Sequence, residues 1–191
     1  LILGSESFKN AELKGNTGDG SSITYELTGG ATMANTNSNR YFRWTTVGAY
    51  VAKGVTLCLS VMYKPVSGAD EFCMEIAYTA GYSTSQSWAT IKPTDQLEIE
   101  QTDGWVLRYG LWTPPDNATL KLVDMGSGTT HAGTGNYTNK FSLLHPMLQY
   151  GNAPTAWNAS SGDYLTQESA KSLFSQTADE IKTEVTKSVT E

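Results

Sequence analysis

The chain has 191 residues, 39% of them hydrophobic and 17% charged, with 18 glycines and a net charge of −6. That acidic balance argues against a nucleic-acid binder, which needs a basic face against phosphates, and against docking on an anionic membrane. No apolar run approaches the roughly 20 residues that span a bilayer, and Leu1-Ile2-Leu3 lacks the basic flank and length of a signal sequence.

Low charge with abundant Gly, Ser, Thr and Asn points to an all-β domain with many turns, and the length leaves room for one appendage. Leu1-Ile2-Leu3 reads as a short strand. Residues 9–21, rich in Gly, Asn, Asp and Ser, read as turns. Ile23, Tyr25 and Leu27 alternate with polar residues, the period-2 mark of a half-buried strand. Residues 34–39 read as a polar loop, and Tyr41 to Thr46 as an aromatic strand in which Arg43 and Trp44 face opposite ways.

The clearest alternation follows. Val55, Leu57, Leu59, Val61 and Tyr63 share one face, and Phe72, Met74, Ile76 and Tyr78 share another. A short turn separates these strands, so they are expected to pair antiparallel. Cys58 and Cys73 lie on the opposite, semi-polar faces; their spacing fits no zinc pattern, and they read as buried thiols. Residues 79–90 read as a loop carrying Tyr82 and Trp88. After a short strand at 97–100 and an Asp103-Gly104 turn comes a strong strand, 105–113. Its phase sets Trp105, Leu107, Tyr109 and Leu111 on the core side and Arg108 with Trp112 on the other. Residues 118–122 alternate again, residues 126–139 read as a loop with His131 and Tyr137, and residues 140–150 form the last strand. About nine strands with no helix between them suit a jelly-roll β-sandwich.

The tail differs. From Thr166 onward there is neither Gly nor Pro, and Phe174, Ala178, Ile181 and Val185 form a 4-3-4 seam. This predicts a C-terminal α-helix that starts a coiled coil, with the domain boundary between residues 163 and 164. Helices this short are marginal alone, so this one packs on its own domain or on copies of itself. The chain reads as a piece of something longer, opening in a strand without Met and closing in a helix.

No catalytic residue is assigned. The two histidines, His131 and His145, belong to no nucleophile motif, and Glu98, Glu100 and Asp103 read as solvated acids. No loop has diagnostic calcium-ligand spacing, so a structural calcium is left open and no other cofactor is implied. Five Trp and ten Tyr exceed the needs of one small core. Flat rings suit the apolar faces of sugars, with polar side chains beside them for the hydroxyls. The candidate carbohydrate-binding residues are Trp88, Trp112, Arg108, Tyr82, His131 and Tyr137. Trp88 and Trp112 fit a core and a ligand face equally well.

Several phrases carry a resemblance. Asp103-Gly104-Trp105, Pro114-Pro115-Asp116, His145-Pro146-Met147-Leu148-Gln149-Tyr150-Gly151-Asn152, Thr155-Ala156-Trp157 and Gly162-Asp163 resemble the C-terminal half of carbohydrate-binding-module-like domains of bacteriophage tail proteins. Those domains are similar to galactose-binding jelly rolls, and the opening Leu1 to Phe8 is similar to their first strand. Gln149 stands where they usually carry an acid. The resemblance covers residues 1–164. It implies a non-catalytic module on a virion tail that attaches to a bacterial surface glycan, beside neighbouring tail-protein domains. It also implies a homotrimer through the helix. A structural spacer of the tail and an accessory domain of a glycoside hydrolase are the alternatives. Trp157 is expected to fold back on the sandwich as a latch.

Overall fold

A computed structural model describes residues 8, 11–15, 20–26, 29–46, 48–128 and 137–157. The expected first strand, His131, the C-terminal helix and the boundary at 163/164 lie outside the described residues. Twelve strands are present among the described residues: β1 (Glu12–Gly15), β2 (Ser22–Tyr25), β3 (Ala31–Ser38), β4 (Arg40–Thr45), β5 (Tyr50–Val51), β6 (Leu57–Gly68), β7 (Phe72–Ala80), β8 (Gln86–Ile91), β9 (Leu97–Glu100), β10 (Val106–Trp112), β11 (Ala118–Ser127) and β12 (Tyr137–Tyr150).

They form two antiparallel sheets. The first runs β1-β4-β11-β7-β8, with β5 also on β11; the second runs β2-β3-β12-β6-β10-β9. Hairpins β2-β3, β7-β8 and β9-β10 stay within a sheet, while β3 to β4, β6 to β7, β10 to β11 and β11 to β12 cross between sheets. The expected pairing of 55–63 with 71–78 is therefore corrected: β6 lies between β12 and β10, and β7 between β11 and β8. Each of these strands has an apolar inner face needing cover from the opposite sheet, so the chain arches across the core instead of folding back beside itself. Asp70 secures the arch, accepting from the Phe72 backbone N–H at 3.3 Å and from Arg108 Nη1 at 2.8 Å.

The core lies between the inner faces. Phe42, Met74, Ile76, Val123 and Met125 meet Leu57, Leu59, Val61, Phe141, Leu143 and Leu148, all at most 1% exposed. Each such side chain stabilises the fold by about 1.5–3 kcal/mol relative to leaving it in water. Rings pack edge to face at both ends, Phe8 on Phe42 (4.8 Å) and Phe72 on Phe141 (5.7 Å).

The phase of β10 is the reverse of expectation. Val106, Arg108, Gly110 and Trp112 pair with the inward Tyr63, Val61, Leu59 and Leu57, so they face the core; Leu107, Tyr109 and Leu111 face out. Two contacts fix this choice. A Cβ on Gly110 would come within 2.5 Å of Ile91 Cγ2, so only glycine lets the sheets approach there. Arg108 is buried because its guanidinium lies 4.0 Å over the Tyr63 ring and bonds both Asp70 and Glu98.

Two stretches read as loops are strands. Residues 34–39 belong largely to β3, whose buried Asn35 donates to Asn139 Oδ1 at 2.9 Å. Residues 86–90 belong to β8. β1 likewise occupies part of the turn-rich 9–21 stretch.

The last strand carries a bulge between Leu144 and Met147, where Pro146 has no N–H to give and His145 takes φ +55°. Beyond Tyr150 the chain folds back over the outer face of the second sheet. Gln149 donates to the Ala153 carbonyl at 2.7 Å and accepts from the Thr155 hydroxyl at 2.7 Å. Trp157 stacks on His145 with ring centroids 4.2 Å apart. The latch expected from the sequence is in place.

Candidate functional site

Strand register assembles a tier of polar and aromatic side chains on the outer face of the first sheet. Glu12 lies opposite Arg43, Arg43 opposite Asp124, Asp124 opposite Glu75, and Glu75 opposite Thr90. Residues directly opposite one another share a face, so these five form one row across β1, β4, β11, β7 and β8. A second row holds Thr45, Leu122, Ala77 and Trp88; a third holds Lys14, Tyr41, Gly126 and Cys73.

The row is organised by a bidentate ion pair. Arg43 Nε donates to Asp124 Oδ1 at 2.8 Å and Nη2 to Oδ2 at 2.7 Å. This fork-to-fork geometry is the strong form of the contact. Hydrogen bonding to Asp124 is the main cause that raises the Arg43 pKa, against the opposing effect of burial. Asp124 is fully buried, whereas the Arg43 side chain keeps 17% of its surface. Glu75 is also fully buried and accepts from the Thr90 hydroxyl at 2.7 Å.

Two rings flank the guanidinium. Its central carbon lies 5.4 Å from the Tyr41 ring centroid and 5.7 Å from that of Trp88, within cation–π range. Trp88 starts three strands away from Arg43, roughly 14 Å at normal strand spacing. The two side chains therefore lean toward each other over the carboxylates between them. Gly126 keeps the β4–β11 approach close: a Cβ there would sit 2.4 Å from the Arg40 carbonyl oxygen and 2.4 Å from Tyr41 Cα.

This arrangement suits binding better than acid–base chemistry. Both Asp124 oxygens accept from Arg43, which orients the carboxylate. Partly exposed Trp88 supplies a flat apolar ring beside fixed charged groups. Among the described residues, no group of three or more His, Cys, Asp or Glu is placed to hold a metal ion.

The structure does not bring the six expected residues together. Trp88 belongs to the tier, on a strand rather than in a loop. Trp112 faces the interior and packs on Tyr78 at 4.6 Å between ring centroids. Arg108 is 5% exposed and reaches out to Asp70 and Glu98, whose side chains stay partly in solvent. Tyr82 is fully exposed in the turn after β7. Tyr137 opens β12 opposite Ser38, and His131 lies outside the described residues. Tyr41, Arg43, Glu75, Thr90 and Asp124 were not among the candidates. The alternation of Tyr41 and Arg43 against Phe42 and Trp44 was the available signal. Nothing in the sequence links Arg43 to an aspartate 81 positions away.

No family model matches the chain, and no curated protein matches it. Among solved structures, it is similar to a family 16 carbohydrate-binding module, at 14% identity and TM-score 0.44 over 78% of this chain and 99% of that one. It is similar to the enzymatically active domain of tailspike protein 4 of bacteriophage CBA120, at 11% identity and TM-score 0.46, over 76% of this chain and 20% of that one. A xylan-binding domain from Paenibacillus barcinonensis is similar at 14% identity and TM-score 0.41, over 80% of this chain and 96% of that one.

Proposed function

We propose that the chain is a non-catalytic glycan-binding module of a phage tail protein, attaching to host cell-surface polysaccharide through the outer face of its first sheet. The observation that carries the reading is the tier of Tyr41, Arg43 and Trp88, two rings either side of a guanidinium locked on Asp124. A sugar ring stacks on Trp88, beside the Arg43–Asp124 pair and Thr90. The cross-sheet strand order is that of a jelly roll, which supports the kinship with galactose-binding-like domains. The phrases at 103–116 and 145–163 support the tail setting. Residues 164–191 would then form a helical stalk that assembles three copies beside neighbouring tail domains.

Titration against host-surface polysaccharides, with Trp88→Ala in parallel, tests the binding role. Saturable binding that the variant loses is expected; equal behaviour of the two proteins counts against the tier. Sedimentation of the chain with and without residues 164–191 tests the stalk, which predicts a trimer only when they are present.

A second reading, a spacer that packs on neighbouring tail domains, is favoured by one observation. Leu97, Ile99 and Leu111 are 50%, 45% and 38% exposed on β9 and β10 of the second sheet. Under that reading, replacing these three by Ser disrupts assembly, while Trp88→Ala leaves every activity unchanged.

A further inference from the structure

The chain has three arginines, and all three are largely withdrawn from water. Arg43 is held by Asp124, and Arg108 by Asp70 and Glu98. Arg40 has no ion pair and no side-chain hydrogen bond with any described residue, although it is only 8% exposed. Its Nε is buried without an acceptor. A buried cation normally has its charge compensated, because desolvation penalises it heavily otherwise. Burial is the main cause shifting Arg40, lowering its pKa, the opposite direction to the carboxylate-held Arg43 and Arg108.

The described side chains that register brings near it are polar, and Tyr25 is close enough to oppose part of the burial effect. Arg40 opens β4 with the same inward phase as Phe42 and Trp44, and lies opposite Ser127. Ser127 accepts from Asn139 at 2.9 Å; Asn139 in turn accepts from Asn35 at 2.9 Å; and Ser38 meets Ser21 at 2.9 Å. This chain of amides and hydroxyls could solvate an ion, but it brings no negative charge to Arg40.

We propose that Arg40 is the anchor of a small-anion site inside the sandwich, separate from the tier on the outer face of the first sheet. The Nε–H and a terminal N–H of a guanidinium form a planar fork that matches two oxygens of one oxyanion. The site is a structural one: the anion completes the core where no described residue supplies a carboxylate to Arg40.

The test compares inorganic phosphate and acetate, in separate arms, with chloride at equal ionic strength. Thermal and urea unfolding are followed for the wild type and Arg40→Gln. At ten times its Kd a native-state ligand raises the folding equilibrium constant about elevenfold. That gain is expected for the wild type with an oxyanion and is absent in the variant. An equal response in the two proteins, or none across the titration, overturns the site. If Arg40→Gln does not fold, the wild-type Nε–H signals decide by NMR. The Arg40 signal should move saturably with phosphate while those of Arg43 and Arg108, held by carboxylates, stay fixed. An unmoved Arg40 signal, or three signals drifting together, refutes the proposal. Glycan binding plays no part in the readout, so this site and the surface tier stand or fall separately.

Discussion

The Arg43–Asp124 pair allows the sharpest perturbation of the tier. Arg43→Met removes a guanidinium that makes two hydrogen bonds to a carboxylate with no exposed surface. Stranding one buried charge costs about 3–5 kcal/mol. For a domain of this size each kcal/mol lowers Tm by roughly 2–4 °C, so a fall of roughly 6–20 °C is expected. Urea unfolding should show a lower midpoint with an unchanged slope, the mark of lost stability without a change in the surface exposed. The double variant Arg43→Met/Asp124→Leu removes the stranded charge as well and should recover at least about 2 kcal/mol over the single one. A single-variant loss below about 1 kcal/mol would place the pair among weak surface contacts. Failure of the second substitution to rescue the first would refute the claim that the cost comes from a buried carboxylate losing its bidentate cation.

Other expectations follow from particular side chains. Burial pushes the Cys58 thiol up to about 11 and the Cys73 thiol up to about 12, from an ordinary 9.0. At pH 8 their thiolate fractions fall about a hundredfold and a thousandfold, so both should resist iodoacetamide until the protein is unfolded. Because these folded-state values are raised, their contribution to stability is full below about pH 9 and is lost as pH climbs through 11 to 12; a pH-independent unfolding midpoint across that window would contradict it. His145 goes the other way, its pKa lowered from 6.5 by burial. It therefore supports the fold above pH 6.5 and less as pH falls through its folded value, and Trp157→Ala should move its NMR titration back toward 6.5. Gly126→Ala sets a methyl group against the backbone of Arg40 and Tyr41, and should cost about 1–3 kcal/mol by overpacking, read by thermal unfolding; a neutral outcome would mean that β4 and β11 can separate freely.

The sequence disclosed strands most clearly where one face is fully apolar. In β6 and β7 the alternation of Leu57, Leu59 and Val61, and of Phe72, Met74 and Ile76, marks the inner faces. It could not disclose that the two strands lie in different sheets, because partner choice depends on β10, β11 and β12, far along the chain. In β10 both faces carry large side chains, so period alone leaves the orientation undecided. What settles it is the steric demand of Ile91 on Gly110 and the ion pairs that make a buried Arg108 tolerable. Polar β3 was hidden because Asn35 and Ser38 satisfy one another and Asn139 inside the fold, a network visible only once β3 and β12 are adjacent. The tier was hidden for the same reason: Arg43, Glu75, Trp88 and Asp124 come from four strands, and each reads alone as an ordinary strand residue. The backward fold at Trp157 was legible because a lone Trp among small polar residues near a chain reversal gains by covering one face of its ring, here on His145.

The central claim is that the outer face of the first sheet holds a sugar by stacking on Trp88. Isothermal titration of the chain with soluble bacterial surface polysaccharides tests it most directly, with Trp88→Ala verified as folded by circular dichroism. Saturable binding by the wild type is expected, with a loss of at least about tenfold in affinity for the variant, the loss of one anchoring aromatic contact. Binding of equal strength by both proteins, or none by the wild type to any polysaccharide of the host, would contradict it.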